Sequence, residues 1–242
     1  MRDPAAPDQD EDERTITPEI LLTAYRLGVF PMAEARDDPT IHWINPKRRG
    51  IIPIDRFHLP RRLARTIRSG RFQMTADRAF DQVIQACAAP TEARPSTWLN
   101  DQLIQLYNEL FRRGLAHSVE TWQDGSLVGG LYGVSIGAAF FGESMFSRAT
   151  DASKVALAEL VQRLRAGGYV LLDTQFVTGH LARFGAIEIP QGEYQRRLHH
   201  ATMLSAQFPQ DPVQPAPGTG LDSSGAPGGT SSGAEQPITQ TS

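Results

Sequence analysis

Between residues 126 and 142 the chain carries no charged side chain, yet Gly129, Gly130, Gly133 and Gly137 interrupt the run. The stretch is short of the roughly 20 apolar residues a membrane helix needs and is broken by its glycines, so a pair of strands accounts for it better. The flanks extend the pattern. Ser118-Val119-Glu120-Thr121-Trp122 alternates, Asp124-Gly125 supplies a turn, a strand continues over 127–135, Gly137 allows a second reversal, and 138–141 returns. The spacing predicts an antiparallel meander.

Helical periodicity surrounds it. Thr17-Pro18-Glu19-Ile20 reads as a capped start leading into Leu21, Leu22 and Tyr25 and stopping at Gly28. Phe30-Pro31 and His42-Trp43-Ile44-Asn45-Pro46 read as short extended pieces. Phe80, Val83, Ile84 and Cys87 predict one helix, and Leu103, Leu106, Tyr107 and Leu110 another, ending at Gly114. After the meander, Leu157, Leu160, Val161 and Leu164 recur on one helical side before Gly167-Gly168; a strand over 169–173 and a short helix near 180–184 complete the unit. The expected organisation is a disordered acidic start over 1–14, a small N-terminal domain over 15–50, a larger α/β domain over 51–204 and a disordered tail over 205–242 that is rich in Pro, Gly, Ser and Thr.

Charge is uneven along the chain. Residues 47–71 carry Lys47, Arg48, Arg49, Arg56, Arg61, Arg62, Arg65, Arg68 and Arg71 against Asp55 alone. Leu59, Leu63 and Ile67 recur as an apolar stripe, while Arg61, Arg65 and Arg68 share another face, so one side can pack while the other meets solvent or a polyanion. The single cysteine excludes an internal disulfide, and an acidic, proline-containing start argues against a signal peptide, leaving the cytoplasm as the expected compartment. The six histidines form no metal-ligand pattern, and no metal is expected.

Strand, hairpin, helix, strand, helix is the order of a GNAT-type acyltransferase core. The junction before the last long helix reads Ser147-Arg148-Ala149-Thr150-Asp151-Ala152-Ser153-Lys154. It lacks the glycines that would let backbone amides cradle a pyrophosphate, so a CoA thioester is not the favoured donor, and no cofactor is expected. Two polar groups stand out. Asp173 and Gln175 are two apart on a predicted strand, which sends both side chains to one face. Glu143 follows an apolar run and is a natural partner for an ammonium group. Gly142-Glu143-Ser144-Met145-Phe146 has Phe146 where a serine nucleophile elbow requires glycine, which disfavours a serine hydrolase.

Several motifs occur together in order: Tyr25-Arg26-Leu27-Gly28-Val29-Phe30-Pro31, Trp43-Ile44-Asn45-Pro46, Gly129-Gly130-Leu131-Tyr132-Gly133-Val134, Gly142-Glu143-Ser144-Met145-Phe146-Ser147-Arg148, Ala152-Ser153-Lys154 and Asp173-Thr174-Gln175. With Phe184-Gly185-Ala186 and Glu188-Ile189-Pro190 they make residues 21–198 resemble the leucyl/phenylalanyl-tRNA protein transferases. The resemblance implies an α+β fold in which a small N-terminal domain joins a GNAT-like acyltransferase domain. It implies transfer of Leu or Phe, with Met a third candidate, from aminoacyl-tRNA to proteins beginning with Arg or Lys, marking them for degradation. Under it Asp173 polarises or orients Gln175, which contacts the attacking amine. Glu143, Met145, Leu131, Leu157, Leu160, Leu164 and Leu172 form the aminoacyl pocket, Trp98 stacks on the terminal adenosine, and Arg61, Arg62 and Arg65 grip tRNA phosphates. The competing reading is a non-catalytic RNA- or degron-binding module, which would not need both Asp173 and Gln175.

Overall fold

The structure, a computed structural model of the chain, describes residues 16–91 and 96–210. The acidic start expected over 1–14, and the tail from residue 211 onward, lie outside the described residues. Thr17 caps the first helix: its hydroxyl accepts the Ile20 N–H, and Pro18 fills the first turn, where no donor is needed. That helix, α1 (Pro18–Arg26), leads into β1 (Phe30–Met32), which pairs with β2 (His42–Ile44) as a separate two-stranded ribbon. β3 (Arg48–Ile52) enters the main sheet, so the boundary expected between residues 50 and 51 falls inside a strand. α2 (Arg61–Arg68), β4 (Gln73–Ala76), α3 (Phe80–Ala88) and α4 (Asp101–Arg112) follow.

The expected meander is present as β5 (Ala116–Gln123), β6 (Ser126–Ile136) and β7 (Ala139–Ser147). Asp124 and Gly125 both hold positive φ, 51° and 74°, the mirror-image turn whose twist matches the strands it joins. α5 (Ala152–Ala166), β8 (Leu171–Gln175) and α6 (Gly179–Ala182) come in the expected order. Asp151, just before α5, sits at φ 71°, a left-handed conformation that Asp and Asn tolerate better than most residues.

Periodicity does not reveal β4, β9 (Ile187–Pro190) or α7 (Gln191–Met203). α7 buries only Tyr194, Leu198 and Ala201, a stripe too narrow to stand out from its polar neighbours. Residues 205–210, which composition assigns to the tail, pack against the domain. Phe208 is buried between His117 and Phe140, and the Gln207 N–H bonds the Gly167 carbonyl. Phe208 is the large apolar side chain that makes docking worth its ordering entropy.

The main sheet is mixed and seven-stranded, in the order β4-β5-β6-β7-β8-β3-β9, with β7 and β8 parallel and the other pairs antiparallel. Two apolar clusters flank it. One unites α1, α3, α4 and α7 with Tyr132, Phe141 and Leu171; the other unites α5, Leu63 and Leu181 with Leu131, Phe140 and Leu172. Successive strand residues thus alternate between two helical layers, as the pleat requires. Among the described residues no helix is long and apolar enough to cross a membrane.

Candidate active site

β7 and β8 pair only where Ala139, Phe140 and Phe141 face Leu171, Leu172 and Asp173. Beyond that point β7 continues along β6, whereas β8 stays with β3 and ends at Gln175, and a cavity of about 370 Å³ opens in the wedge. Gly142, Glu143 and Met145 line it from β7; Thr174, Gln175 and Phe176 line it from the end of β8. β1 contributes Phe30, Pro31 and Met32, and the half-buried Trp98 completes the rim.

Glu143 reaches the cavity through an irregularity invisible to period-two reasoning. Tyr132 pairs with Ser144 and Gly133 with Gly142, so Glu143 is the extra residue of a β-bulge. The bulge presents its carboxylate to the α1 and α4 layer, where Oε1 accepts the Tyr25 hydroxyl at 2.7 Å and Oε2 accepts the Tyr107 hydroxyl at 3.0 Å. Burial outweighs these two bonds and lifts the Glu143 carboxyl from 4.5 to about 7, with the nearby Asp173 charge adding to the rise and Arg49 opposing it. Burial, and then the Glu143 charge, push both phenols above their usual range, so they remain donors.

The opposite pole is apolar. Leu131, Leu157, Leu160 and Leu172 come from the α5 layer and, with Met145, line the cavity. Leu164, expected with them, does not; fully buried, it packs one helical turn beyond Leu160, inside the α5 core. His180 also lines the cavity. Burial first, and then the Lys154 and Arg183 charges, hold its imidazole below the usual range.

The structure separates Asp173 from Gln175. Asp173 is fully buried and does not line the cavity, whereas Gln175 does. The expected shared face is lost because Gln175 takes φ 57° and the Phe176 N–H bonds the Thr174 carbonyl at 2.6 Å, closing a tight three-residue turn on Gln175. Gly50 makes room for that turn, since a Cβ there would lie 2.6 Å from the Phe176 carbonyl carbon. With its amide nitrogen toward the Gly142 carbonyl (2.9 Å) and the Thr174 carbonyl (3.2 Å), Gln175 keeps Oε1 as its remaining acceptor. Asp173 accepts hydrogen bonds from Arg49 Nε (2.9 Å) and Nη2 (2.7 Å), the Tyr194 hydroxyl (2.7 Å) and the Gln175 backbone N–H (2.8 Å).

On α2, Arg61, Arg62, Arg65 and Arg68 are exposed, Leu63 is buried, and no ion pair holds any of the four among the described residues. Arg61 and Arg62 occupy the first turn, where the helix dipole disfavours cations. Local stability therefore does not explain their placement.

Arg49, Tyr194, Tyr25 and Tyr107 are the site residues that sequence reasoning misses. Arg49 reads as one member of the basic segment, but alternation with Ile51 turns it inward while Arg48 pairs outside with Glu188. That alternation is the available signal. Tyr25 and Tyr107 show in the sequence only as members of apolar stripes.

Comparison with known proteins bears on the family to which the chain belongs. The family model described as leucyl/phenylalanyl-tRNA protein transferase matches residues 51–199, and that of its N-terminal domain matches residues 14–47. A leucyl/phenylalanyl-tRNA–protein transferase of Paramagnetospirillum magneticum is 58% identical over 195 residues, 81% of this chain and 93% of the relative. One from Rhodopseudomonas palustris is 57% identical over 212 residues, 87% of this chain and 92% of the relative. Among solved structures, the C-terminal domain of a putative lysylphosphatidylglycerol synthetase from Agrobacterium fabrum superposes with a TM-score of 0.38 at 11% identity, covering 76% of this chain and 62% of that one. So loose a likeness carries no argument. At this identity, over nearly the full length of its relatives, the chain belongs to the leucyl/phenylalanyl-tRNA protein transferase family.

Proposed function

We propose that this enzyme moves a leucyl or phenylalanyl group from aminoacyl-tRNA to the α-amine of proteins beginning with Arg or Lys. The observation that carries the reading is the polarity of the cavity: a carboxyl poised near neutrality at one pole and an aliphatic lining at the other, joined through the gap between β7 and β8. An aminoacyl ester has the matching shape, with an ammonium and an apolar side chain on one carbon. Glu143 would meet the ammonium; Leu131, Met145, Leu157, Leu160 and Leu172 would surround the side chain, and Trp98 would stack on the terminal adenosine. We read the sheet as a GNAT-like scaffold, and the cytoplasm, where charged tRNA is found, as the compartment.

In the reaction the acceptor's neutral amine attacks the ester carbonyl, a C–N bond forms, and the ribose oxygen leaves with the proton the amine gives up. Gln175 Oε1 would accept an N–H of that amine and so aim its lone pair. A neutral amide is a poor base, so this contribution is positioning on an already activated ester. Asp173 acts through the Gln175 backbone, whose N–H it holds, rather than on the amine. Arg61, Arg62 and Arg65 would hold tRNA phosphates, giving affinity with little sequence preference.

Incubating the protein with labelled Leu-tRNA or Phe-tRNA and peptides differing only in their first residue tests this reading. Label should enter peptides that begin with Arg or Lys. Binding of tRNA without any transfer would instead support the non-catalytic module.

A further inference from the structure

We propose that Arg49 is a positioning residue for the transfer step: one guanidinium ties together two of the segments that line the cavity and, through Asp173, holds Gln175 in its turn. The inference rests on the reading of Gln175 as the group that meets the attacking amine.

Arg49 is 1% exposed, and its orientation is fully specified. The guanidinium carbon lies 4.5 Å from the Phe30 ring centre and 4.6 Å from that of Tyr194. Nε and Nη2 fork onto the Asp173 carboxylate, and Nη1 donates to the Gly28 carbonyl at 2.9 Å. Gly28 lies just before β1, whose Phe30, Pro31 and Met32 line one side of the cavity; Asp173 lies just before Thr174 and Gln175, which line another. The Phe30 ring that covers Arg49 also meets Phe176 edge-on, with centres 5.8 Å apart.

A buried ion pair is weak evidence for stability, because apolar residues of similar volume often serve as well. What this pair supplies is geometry. Gln175 is a non-glycine residue at φ 57°, closed by a three-residue turn, and such strain persists only where the surroundings over-determine it. The Asp173 oxygen that accepts the Gln175 N–H also accepts Arg49 Nε, so displacement of the guanidinium moves the acceptor on which the turn depends. Lysine would keep the charge but lacks the planar fork that reaches Asp173 and Gly28 together.

The test uses the full chain, a 3′-leucyl adenosine donor and a peptide beginning with Arg, with Arg49→Lys and Tyr194→Phe each made alone and combined with Gln175→Ala. Tyr194→Phe keeps the ring and deletes only the hydroxyl that binds Asp173, so it carries the test if Arg49→Lys fails to melt cooperatively. Arg49→Lys should lower kcat by about 10- to 100-fold while KM for the donor stays within about 2-fold, as expected for impaired alignment rather than impaired binding. Tyr194→Phe should do the same to a smaller extent. In the Gln175→Ala background neither should lower kcat further, because the group they position is gone. Equal losses with and without Gln175 would show a general structural role and overturn the proposal. A full rate in Arg49→Lys and Tyr194→Phe beside a large loss in Gln175→Ala would overturn the Arg49 proposal alone. A full rate in Gln175→Ala would remove the reading of Gln175 and this proposal with it.

Discussion

The Asp173 carboxylate holds the backbone N–H of Gln175 at 2.8 Å, while the Gln175 side chain turns away toward the cavity and the Gly142 carbonyl. Two residues that alternation would send to the same face therefore have different surroundings. Asp173 accepts every hydrogen bond described for it, with Arg49 and Tyr194 fixing its carboxylate, and it does not line the cavity.

Gln175→Ala should lower single-turnover transfer by about 10- to 100-fold with tRNA affinity unchanged, the range expected when the amine is no longer held in line with the ester. Asp173→Ala should also lose transfer, but it leaves Arg49 buried without its partner, which costs about 3–5 kcal/mol of stability. Denaturant melts beside the kinetics separate the two. A full rate in Gln175→Ala would sink the assignment.

Gln175→Gly should be more stable than the native chain by about 1 kcal/mol, because glycine takes φ 57° without the Cβ penalty, and it should lose transfer to the same extent as Gln175→Ala. Urea unfolding with a parallel transfer assay checks both halves. A loss of stability would mean that the side chain's bonds to Gly142 and Thr174 outweigh the strain.

Glu143 carries a stability cost with a defined pH window. Its carboxyl titrates near 7 in the fold against 4.5 ordinarily, so the folded state binds the proton more tightly. That contribution to stability is fully present below 4.5 and is lost as pH rises through about 7. Glu143→Gln should therefore gain about 1–3 kcal/mol relative to the native chain on going from pH 5 to pH 8. Unfolding curves at the two values measure it; a pH-independent difference would contradict the raised titration. Tyr25→Phe removes a bond that lowers the Glu143 pKa, so any activity limb due to Glu143 should move to higher pH.

Met145→Trp, or a bulkier residue at Leu157, should discriminate against Phe before Leu, because the larger acyl side chain runs out of volume first. A shift of roughly 10-fold in the Phe-to-Leu ratio is the scale of methylene-sized selection. Competition between the two charged tRNAs reads it directly, and an unchanged ratio would place the acyl group elsewhere.

Reversing Arg61, Arg62 and Arg65 to Glu should weaken aminoacyl-tRNA binding. Its log–log salt dependence should flatten by about 0.7–0.9 for each phosphate that is no longer neutralised. Transfer from a 3′-aminoacyl adenosine should survive, since that donor has no stem to hold. Equal affinity across a salt series would make the arginine face a solvated surface.

The meander and the long helix after it are legible in the chain because each is a local pattern: alternation, a 3.6-residue period, or a turn dipeptide at the required place. The sequence likewise carries the family motifs and the exposed arginine face of α2. Tertiary structure alone decides the rest. Leu164 and Leu160 are one turn apart with the same chemistry, and only the splay of β7 from β8 puts Leu160 in the cavity wall and leaves Leu164 in the core. Arg49 is one more arginine in a basic segment until β3 inserts between β8 and β9 and brings it against Asp173, 124 positions away. The bulge at Glu143 and the positive φ at Gln175 belong to the same class. Both are departures from local preference that hold only because distant groups, the Tyr25 and Tyr107 hydroxyls in one case and the Asp173–Arg49 pair in the other, converge on them when the chain is folded.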